Sequence, residues 1–281
     1  MKAKGAAYPL IVRIVAGTLV AVSRASPLVL LFLLLFTDLR LDNPLRMMRA
    51  FTASCLLPAL AARIVEAAYA ATLLIENATL TVQQRGRRIE VPCASIDRVA
   101  PWTIPLPAGG VSLRLKSGRL LAQGLQTHDP VTFIEALADA GAGEPARAAS
   151  RHPAALYVAA KRGAARRWYH PLCKFVLFAL VPTLPLFRLH QWIAYGGTFG
   201  EYYTYGLEAY LLGFAIYWAT LTIDLVLYAA ALRALAEAVA LPATYLAPAR
   251  AERVRRVVEV AHRVFYYGGV PALLLRHFFS S

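Results

Sequence analysis

The chain has 281 residues, of which 58% are hydrophobic and only 16% are charged, and its formal net charge is +14. Soluble domains carry about 25% charged residues, and the apolar residues here form blocks long enough to cross a bilayer, which excludes an ordinary soluble domain. The basic residues flank these blocks, as the positive-inside bias and attraction to anionic lipid require. Anionic lipid headgroups are therefore predicted partners, and nucleic acid is not.

Two apolar segments near the start of the chain predict a first transmembrane hairpin over residues 1–75. Its first span covers 14–37, and its second covers 50–75. Each is long enough for one crossing at about 20 residues. An alternative places residues 7–23 along the membrane interface. The dipeptide Asn43-Pro44 breaks the chain between the two spans.

Between residues 76 and 140 the pattern becomes typical of strands. Apolar and polar residues alternate over 111–116, which is the period of a half-buried strand. Arg85-Gly86 and Ser117-Gly118 predict turns between strands. Asp129-Pro130 predicts the N-cap and the first residue of a helix. The segment 76–140 is therefore predicted to be a β domain closed by a helix.

Three stretches of this segment carry a resemblance to a known family: IENATLTVQQRGRRIEVPCASIDRV, VSLRLKSGRLLAQG and the helix DPVTFIEAL. They resemble the bacterial pleckstrin-homology-like (PH-like) domains that lie beside membrane spans, over residues 72–140 or about a quarter of the chain. The resemblance implies a small sheet capped by a C-terminal helix, and it implies no catalytic residues. The loop WTIPLPAGG departs from the family pattern.

The rest of the chain predicts a second transmembrane hairpin and a surface-seeking tail. The segments are a basic linker with an interfacial helix over 141–171, the hairpin over 172–232 and a C-terminal segment over 233–281. The hairpin contains a third span over 172–195 and a fourth over 207–232. Residues 250–267 have the spacing of an amphipathic helix. The apolar end that follows is too short to span and is predicted to re-enter the bilayer or to lie on it.

Lysine and arginine contents predict the orientation. Residues 147–174 hold seven basic residues and no acidic one, whereas 196–206 hold no basic residue. The first segment is therefore predicted to be cytoplasmic and the second external. Four spans then place both termini and residues 76–140 in the cytoplasm of a bacterial-type inner membrane. Three arginines in the first external turn argue against this orientation: Arg40, Arg46 and Arg49.

Ionisable residues within the predicted spans form the first candidate site, because a charge at the centre of a spanning helix costs about 2.5–3.5 kcal/mol on insertion scales. Counting from the cytoplasmic ends places Arg24, Arg63, Glu66 and Asp224 at one depth in the inner leaflet. One interpretation is a polar cavity or relay. The alternative is that Arg63 pairs with Glu66 on one helix and Asp224 pairs with a cation on another span.

Two basic runs form the second candidate site, a contact with anionic headgroups or with an acidic partner surface. Their members are Arg85, Arg87, Arg88, Lys161, Arg162, Arg166 and Arg167. The alternative is that these residues only fix the topology.

No pattern predicts a catalytic residue, a cofactor or a metal site. Cys55, Cys93 and Cys173 have no CxxC or zinc spacing, the six histidines are dispersed, and no phosphate-binding or nucleophile motif stands in a suitable context.

The predicted fold class is therefore an α+β membrane protein. It would have four transmembrane helices as two hairpins, a small cytoplasmic PH-like β domain between them, and a C-terminal amphipathic or re-entrant helix. The predicted function is that of a non-catalytic inner-membrane accessory or scaffold protein, a subunit of a complex with another membrane protein or with copies of itself. The alternatives are a small transporter or channel that uses the charged layer, and a membrane enzyme acting on lipid.

Overall fold

A computed structural model describes residues 1–36, 44–164 and 173–280 of the chain. Its strands form one antiparallel sheet in the order β4-β3-β2-β1-β7-β6-β5. The strands are β1 (Lys2–Pro9), β2 (Ala70–Glu76), β3 (Thr79–Gln84), β4 (Arg87–Pro92), β5 (Ile96–Pro101), β6 (Gly110–Leu115) and β7 (Gln123–Thr127).

The described residues also contain long apolar helices. The α-helices are α1 (Leu10–Phe36), α2 (Pro44–Phe51), α3 (Leu57–Ala68), α4 (Pro130–Leu137), α5 (Gly143–Ser150), α6 (Pro153–Gly163), α7 (Phe178–Tyr195), α8 (Gly200–Leu246) and α9 (Ala251–Ser280). Four segments of the described chain are long and apolar enough to cross a membrane: Leu10–Leu33, Arg46–Ala68, Cys173–Tyr195 and Gly200–Leu246. The combination of one sheet with four such helices confirms the α+β class.

The strand β1 lies in the middle of the sheet, between β2 and β7. Lys2 pairs with Leu74 on one side, and Gly5 pairs with Thr127 on the other. The backbones of β1 and β7 approach so closely that a Cβ atom on Gly5 would lie 2.0 Å from the Gln126 carbonyl oxygen. Glycine is therefore the residue that this pairing accepts.

The helices α1 to α3 lie between β1 and β2 along the chain, and these two strands are neighbours in the sheet. The helix α1 begins directly after β1, and α3 ends at Ala68, just before β2. The Ala7 N–H donates to the Tyr69 carbonyl oxygen at 3.0 Å, so the chain leaves and rejoins the sheet at adjacent points.

The predicted boundaries need correction here. The segment 76–140 contains five of the seven strands and α4, but β1 and most of β2 lie within the segment 1–75 that is predicted to be a hairpin. The predicted second span, 50–75, therefore ends too late, because its last apolar residues alternate between buried and partly exposed positions of β2. The run of β1, KAKGAAYP, is rich in residues that are depleted in strands, so its local sequence does not predict it.

One face of the sheet is covered by α4 and α5. The Thr132 N–H donates to the Asp129 carboxylate at 3.2 Å, and Pro130 is the first residue of α4, which confirms the predicted N-cap. Phe133 and Leu137 of α4 are fully buried against the sheet. The predicted linker 141–171 contains α5, whose alanines Ala146 and Ala149 close the same core. A segment of small side chains was predicted as linker because alanine gives little periodic signal.

The opposite face of the sheet receives α1 and α3. Successive side chains of β1 point to opposite faces, so Ala7 belongs to the first core while Ala6 and Tyr8 belong to a second cluster with Trp102. Val12 of α1 and Val65 of α3 pack against this second cluster. The inserted helices are thus attached to the sheet by packing as well as by chain continuity.

The described chain forms two compact units. The first takes Met1–Ser26, Thr52–Ala165 and Arg233–Val264, and the second takes Pro27–Phe51, Arg166–Leu232 and Phe265–Ser281. The first unit contains the sheet. The second has its own core of Ala179, Leu225, Ala229, Tyr266 and Val270.

The last two helices are longer than predicted. The helix α8 continues to Leu246, beyond the predicted end of the fourth span at 232. The helix α9 runs without interruption from Ala251 to Ser280, through the predicted boundary between the amphipathic helix and the re-entrant end.

Candidate functional site

A buried charge network joins α6, α8 and α9 within the first unit. At its centre, both carboxylate oxygens of Glu237 on α8 accept hydrogen bonds from the Arg255 guanidinium on α9, at 2.9 and 3.0 Å. The Lys161 ammonium on α6 lies 3.2 Å from the same carboxylate, and the Tyr157 hydroxyl donates to it. One carboxylate therefore holds three helices together.

A second carboxylate completes the network. Glu259 on α9 accepts from Arg255 at 2.7 Å and from Arg233 on α8 at 2.5 Å. The Arg233 guanidinium also lies 3.2 Å from Glu237. The side chains of Arg255 and Glu259 are only 3% and 7% exposed, so their pairing occurs largely out of water.

Burial and neighbouring charges change the pKa of several groups in the network. Burial is the main cause that lowers the pKa of Lys161 to about 8; Glu237 opposes this change and Arg24 adds to it by repulsion. Burial and the Glu237 carboxylate raise the pKa of Tyr157. Burial alone would raise the pKa of Glu259, but Arg233 and Arg255 outweigh it and lower that pKa.

The network has the chemistry of a clamp. Each carboxylate is bonded to at least two cations, and a buried charge that loses its partner is strongly destabilising. The geometry therefore fixes α6, α8 and α9 to one another, and it leaves no carboxylate oxygen pair free to bind a substrate.

The sequence did not predict this network because two charged residues of α9, Arg255 and Glu259, are buried while valines of the same helix are exposed. Arg255, Glu259 and His262 are buried at helical spacing, whereas Val257 and Val264 are 62% and 65% exposed. The i, i+4 spacing of Arg255 and Glu259 is visible in the sequence, but their partners Glu237 and Arg233 lie on another helix.

The surroundings of Glu66 follow from the end of α3. Because α3 ends at Ala68, Glu66 lies in the last turn of its helix, next to the sheet. There it accepts from the Gln126 Nε2 atom of β7 at 2.8 Å. Arg63, 78% exposed, forms the local pair with Glu66 at 2.8 Å.

The other two members of the predicted layer lie on α1 and α8. Arg24 lies about halfway along α1, close enough to Lys161 to repel its charge. Asp224 lies on α8 in the second unit. The structure therefore brings together Arg63 with Glu66, and Arg24 with the clamp.

The predicted lipid-contact residues divide into three groups. Arg85, Arg87 and Arg88 are exposed around the turn between β3 and β4, and Arg88 lies 2.6 Å from the Glu90 carboxylate. Lys161 is bonded to Glu237, and Arg162 lies 2.5 Å from Asp129, so both already have carboxylate partners within the chain. Arg166 and Arg167 lie outside the described residues.

A cavity of about 550 Å³ lies between the first turns of α1 and the loop that follows β5. The Arg13 guanidinium of α1 is stacked 4.8 Å from the centre of the Trp102 ring. Ser112 on β6 accepts from the Trp102 indole at 3.2 Å and from Arg13 at 3.5 Å. The irregular loop WTIPLPAGG, which departs from the PH-like pattern, forms one wall.

Among the residues that the structure describes, no group of three or more His, Cys, Asp or Glu side chains could hold a metal ion. Comparisons with family models, with characterised proteins and with solved structures find no match for the chain.

Proposed function

We propose that the protein is a non-catalytic accessory or scaffold protein of a bacterial-type inner membrane. Its apolar helices are embedded in the bilayer, and its PH-like sheet lies at the cytoplasmic surface, where it docks anionic lipid or a membrane-protein partner. The observation that carries the proposal is the insertion of α1 to α3 between the adjacent strands β1 and β2.

This insertion couples the sheet to the helices. A separate domain on a flexible linker would sample many orientations, but here α1 follows β1 without a linker and α3 ends just before β2. The Glu66–Gln126 hydrogen bond and the packing of Val12 and Val65 add further attachments. The sheet is thus presented to a partner in one orientation, which is what a scaffold requires.

Exposed apolar side chains support the membrane environment. On α1, Ile11 and Ile14 are 76% and 57% exposed, and on α3, Leu60 and Ile64 are 57% and 61% exposed. Contiguous apolar surface of this kind is unusual on a soluble monomer and marks contact with lipid or protein. In a bilayer these stripes would be solvated by acyl chains.

The docking surface of the sheet is tested by reversing its charge. Changing Arg85, Arg87 and Arg88 together to glutamate is expected to weaken binding of the purified chain to anionic liposomes or recovery of a membrane-protein partner in mild detergent. The matched control reverses Arg98, Lys116 and Arg119, which are also exposed and lie on β5 and in the segment that follows β6. Equal behaviour of the two triple variants would show that the β3–β4 turn is not the docking surface.

The cytoplasmic placement of the sheet has its own test. Because β1 belongs to the sheet, Lys4 and Gly118 must lie on the same side of the membrane, whichever side that is. In a cysteine-free background, an impermeant reagent applied to intact cells is expected to label Gly200→Cys and to spare Lys4→Cys and Gly118→Cys. Labelling of Gly118→Cys in intact cells would overturn the cytoplasmic placement.

Transport is the second candidate function, and one observation favours it. Glu237 lies in an apolar segment long enough to span and is bonded to Lys161, whose pKa of about 8 allows it to change charge near physiological pH. The accessory function is favoured because the carboxylates of the network are already paired with cations. Solute-dependent flux in proteoliposomes that is abolished by Glu237→Gln, with the fold intact, would favour transport instead.

A further inference from the structure

The cavity beside Arg13 differs from the buried charge network in its position and in its unpaired hydrogen-bond donors. Arg13, Ile14, Gly17 and Ala21 line it from α1, at the beginning of a segment apolar enough to span a membrane. The exposed apolar residues of α1 start at Leu10, so in an embedded helix Arg13 lies at the depth where headgroups meet acyl chains.

The cation in this cavity has unused donors. The contacts of Arg13 in the described chain are one long hydrogen bond to Ser112 and the stacking on Trp102. No carboxylate of the described residues forms an ion pair with it. A guanidinium carries five N–H donors in a planar fork that matches the oxygens of a phosphate, so Arg13 retains the capacity to bind an anion.

The cavity wall is held in place from several directions. The Trp102 ring lies directly on the sheet, where a Cβ atom on Gly110 or on Gly124 would come within 2.8 Å of it. The Tyr245 hydroxyl of α8 donates to the Thr103 carbonyl oxygen at 2.7 Å. A binding site whose wall is already fixed loses little conformational entropy when its ligand arrives.

The lining is divided between polar and apolar atoms. Arg13, Thr18 and Ser112 provide polar groups, while Ile14 and Ile104, 57% and 62% exposed, provide apolar surface at the same opening. A small soluble anion would satisfy only the polar part. A lipid, with a charged phosphate joined to apolar chains, satisfies both.

We propose that this cavity binds the headgroup of an anionic glycerophospholipid from the surrounding bilayer. The phosphate accepts hydrogen bonds from Arg13, and the glycerol and first acyl carbons contact Ile14 and Ile104. The site deepens the proposed function, on whose membrane embedding it rests, because it names a lipid class and a binding residue away from the β3–β4 turn.

Native mass spectrometry of the full chain in mild detergent tests the site. The probes are phosphatidylglycerol, phosphatidylcholine and inorganic phosphate. The wild-type chain is expected to retain phosphatidylglycerol in preference to phosphatidylcholine, and millimolar inorganic phosphate should not displace it. Arg13→Gln is expected to weaken phosphatidylglycerol binding by about tenfold or more, because charge-assisted hydrogen bonds are lost.

Two further variants keep the test decisive. Arg114→Gln removes an exposed arginine of β6 on the same sheet face as Ser112 but outside the cavity, and it should change binding less than about twofold. Ala21→Phe fills the cavity without touching Arg13, and it should weaken binding as Arg13→Gln does. If Arg13→Gln does not fold, judged by circular dichroism and gel filtration, Ala21→Phe still tests whether the lipid binds in this cavity.

Several results would overturn the site. Equal losses for Arg13→Gln and Arg114→Gln would mean general electrostatic attraction. Displacement of lipid by inorganic phosphate would assign the cavity to a soluble anion, and equal retention of phosphatidylcholine would remove the anionic preference. Failure of the proposed function is distinguishable, because a chain that does not remain in the bilayer after alkaline extraction is not embedded at all.

Discussion

Arg255 and Arg13 belong to the same compact unit but have opposite surroundings. Arg255 is 3% exposed and donates to two carboxylates of the chain, on Glu237 and Glu259. Arg13 is half-buried, lies on an aromatic ring and has no carboxylate partner among the described residues. Described residues supply the counter-charge of the first arginine, whereas the proposed lipid phosphate supplies that of the second.

This difference separates stability from binding. Removing Arg255 takes a cation from the buried Glu259 and from Glu237, whose side chain is 14% exposed, so it should affect folding. Removing Arg13 leaves no buried charge behind, so it should affect binding and hardly affect folding. The following predictions test that separation.

The largest effect is expected for Arg255→Met. Removing one partner of a buried ion pair costs about 3–5 kcal/mol, so the unfolding midpoint of the purified chain in detergent should fall strongly. The control is Arg256→Met, which changes an exposed neighbour on the same helix. If the two variants unfold at the same temperature, the network is not a clamp.

A smaller loss is expected for Glu66→Ala. This change removes the acceptor of the Gln126 amide, whose side chain is only 2% exposed, and a buried polar group left without its partner costs about 1–3 kcal/mol. The exposed Glu76 at the end of β2 provides the matched alanine variant. Equal stability of both variants would argue against Glu66 as an anchor of α3 to the sheet.

Arg13→Gln is expected to change stability by less than about 1 kcal/mol, which is the range of one exposed cation–π contact. The same thermal scan as for Arg255→Met measures it, with Arg114→Gln beside it. A loss as large as that of Arg255→Met would make Arg13 a structural residue and would remove the contrast between the two arginines.

The last expected effect is a dependence of stability on pH that arises from Lys161. Its pKa of about 8 in the folded chain lies below the ordinary value of 10.5, so between these values the unfolded chain binds more protons. The contribution of Lys161 to stability should therefore rise with pH between 8 and 10.5. Lys161→Met should lack this rise, so its stability relative to the wild type should decline over that range. A stability difference between Lys161→Met and the wild type that does not change with pH would contradict the lowered pKa of Lys161.

Local signals in the sequence predicted much of the sheet. The Asp129 cap, the Arg85-Gly86 turn and the alternation that buries Val111 and Leu113 all depend on residues within a few positions of one another. Each feature appears where the pattern places it.

The remaining features depend on residues that are distant along the chain. The strand β1 is rich in alanine, glycine and lysine and becomes a strand only because β2 and β7 flank it. The buried Arg255 of α9 is paired with Glu237 of α8, which in turn contacts Lys161 of α6. Arg13 and Ser112 of the cavity are 99 residues apart. No periodicity within one element reveals such partners.

Spin-label accessibility in reconstituted bilayers tests the central claim most directly, which is that the sheet lies at the membrane surface and that α1 enters the bilayer from it. Single labels at Ile11, Val22 and Gly118 would be compared in a cysteine-free background. We expect Val22 to be reached by oxygen, Gly118 by a water-soluble nickel complex, and Ile11 to give an intermediate value. Equal access of the nickel complex to all three positions would contradict the account.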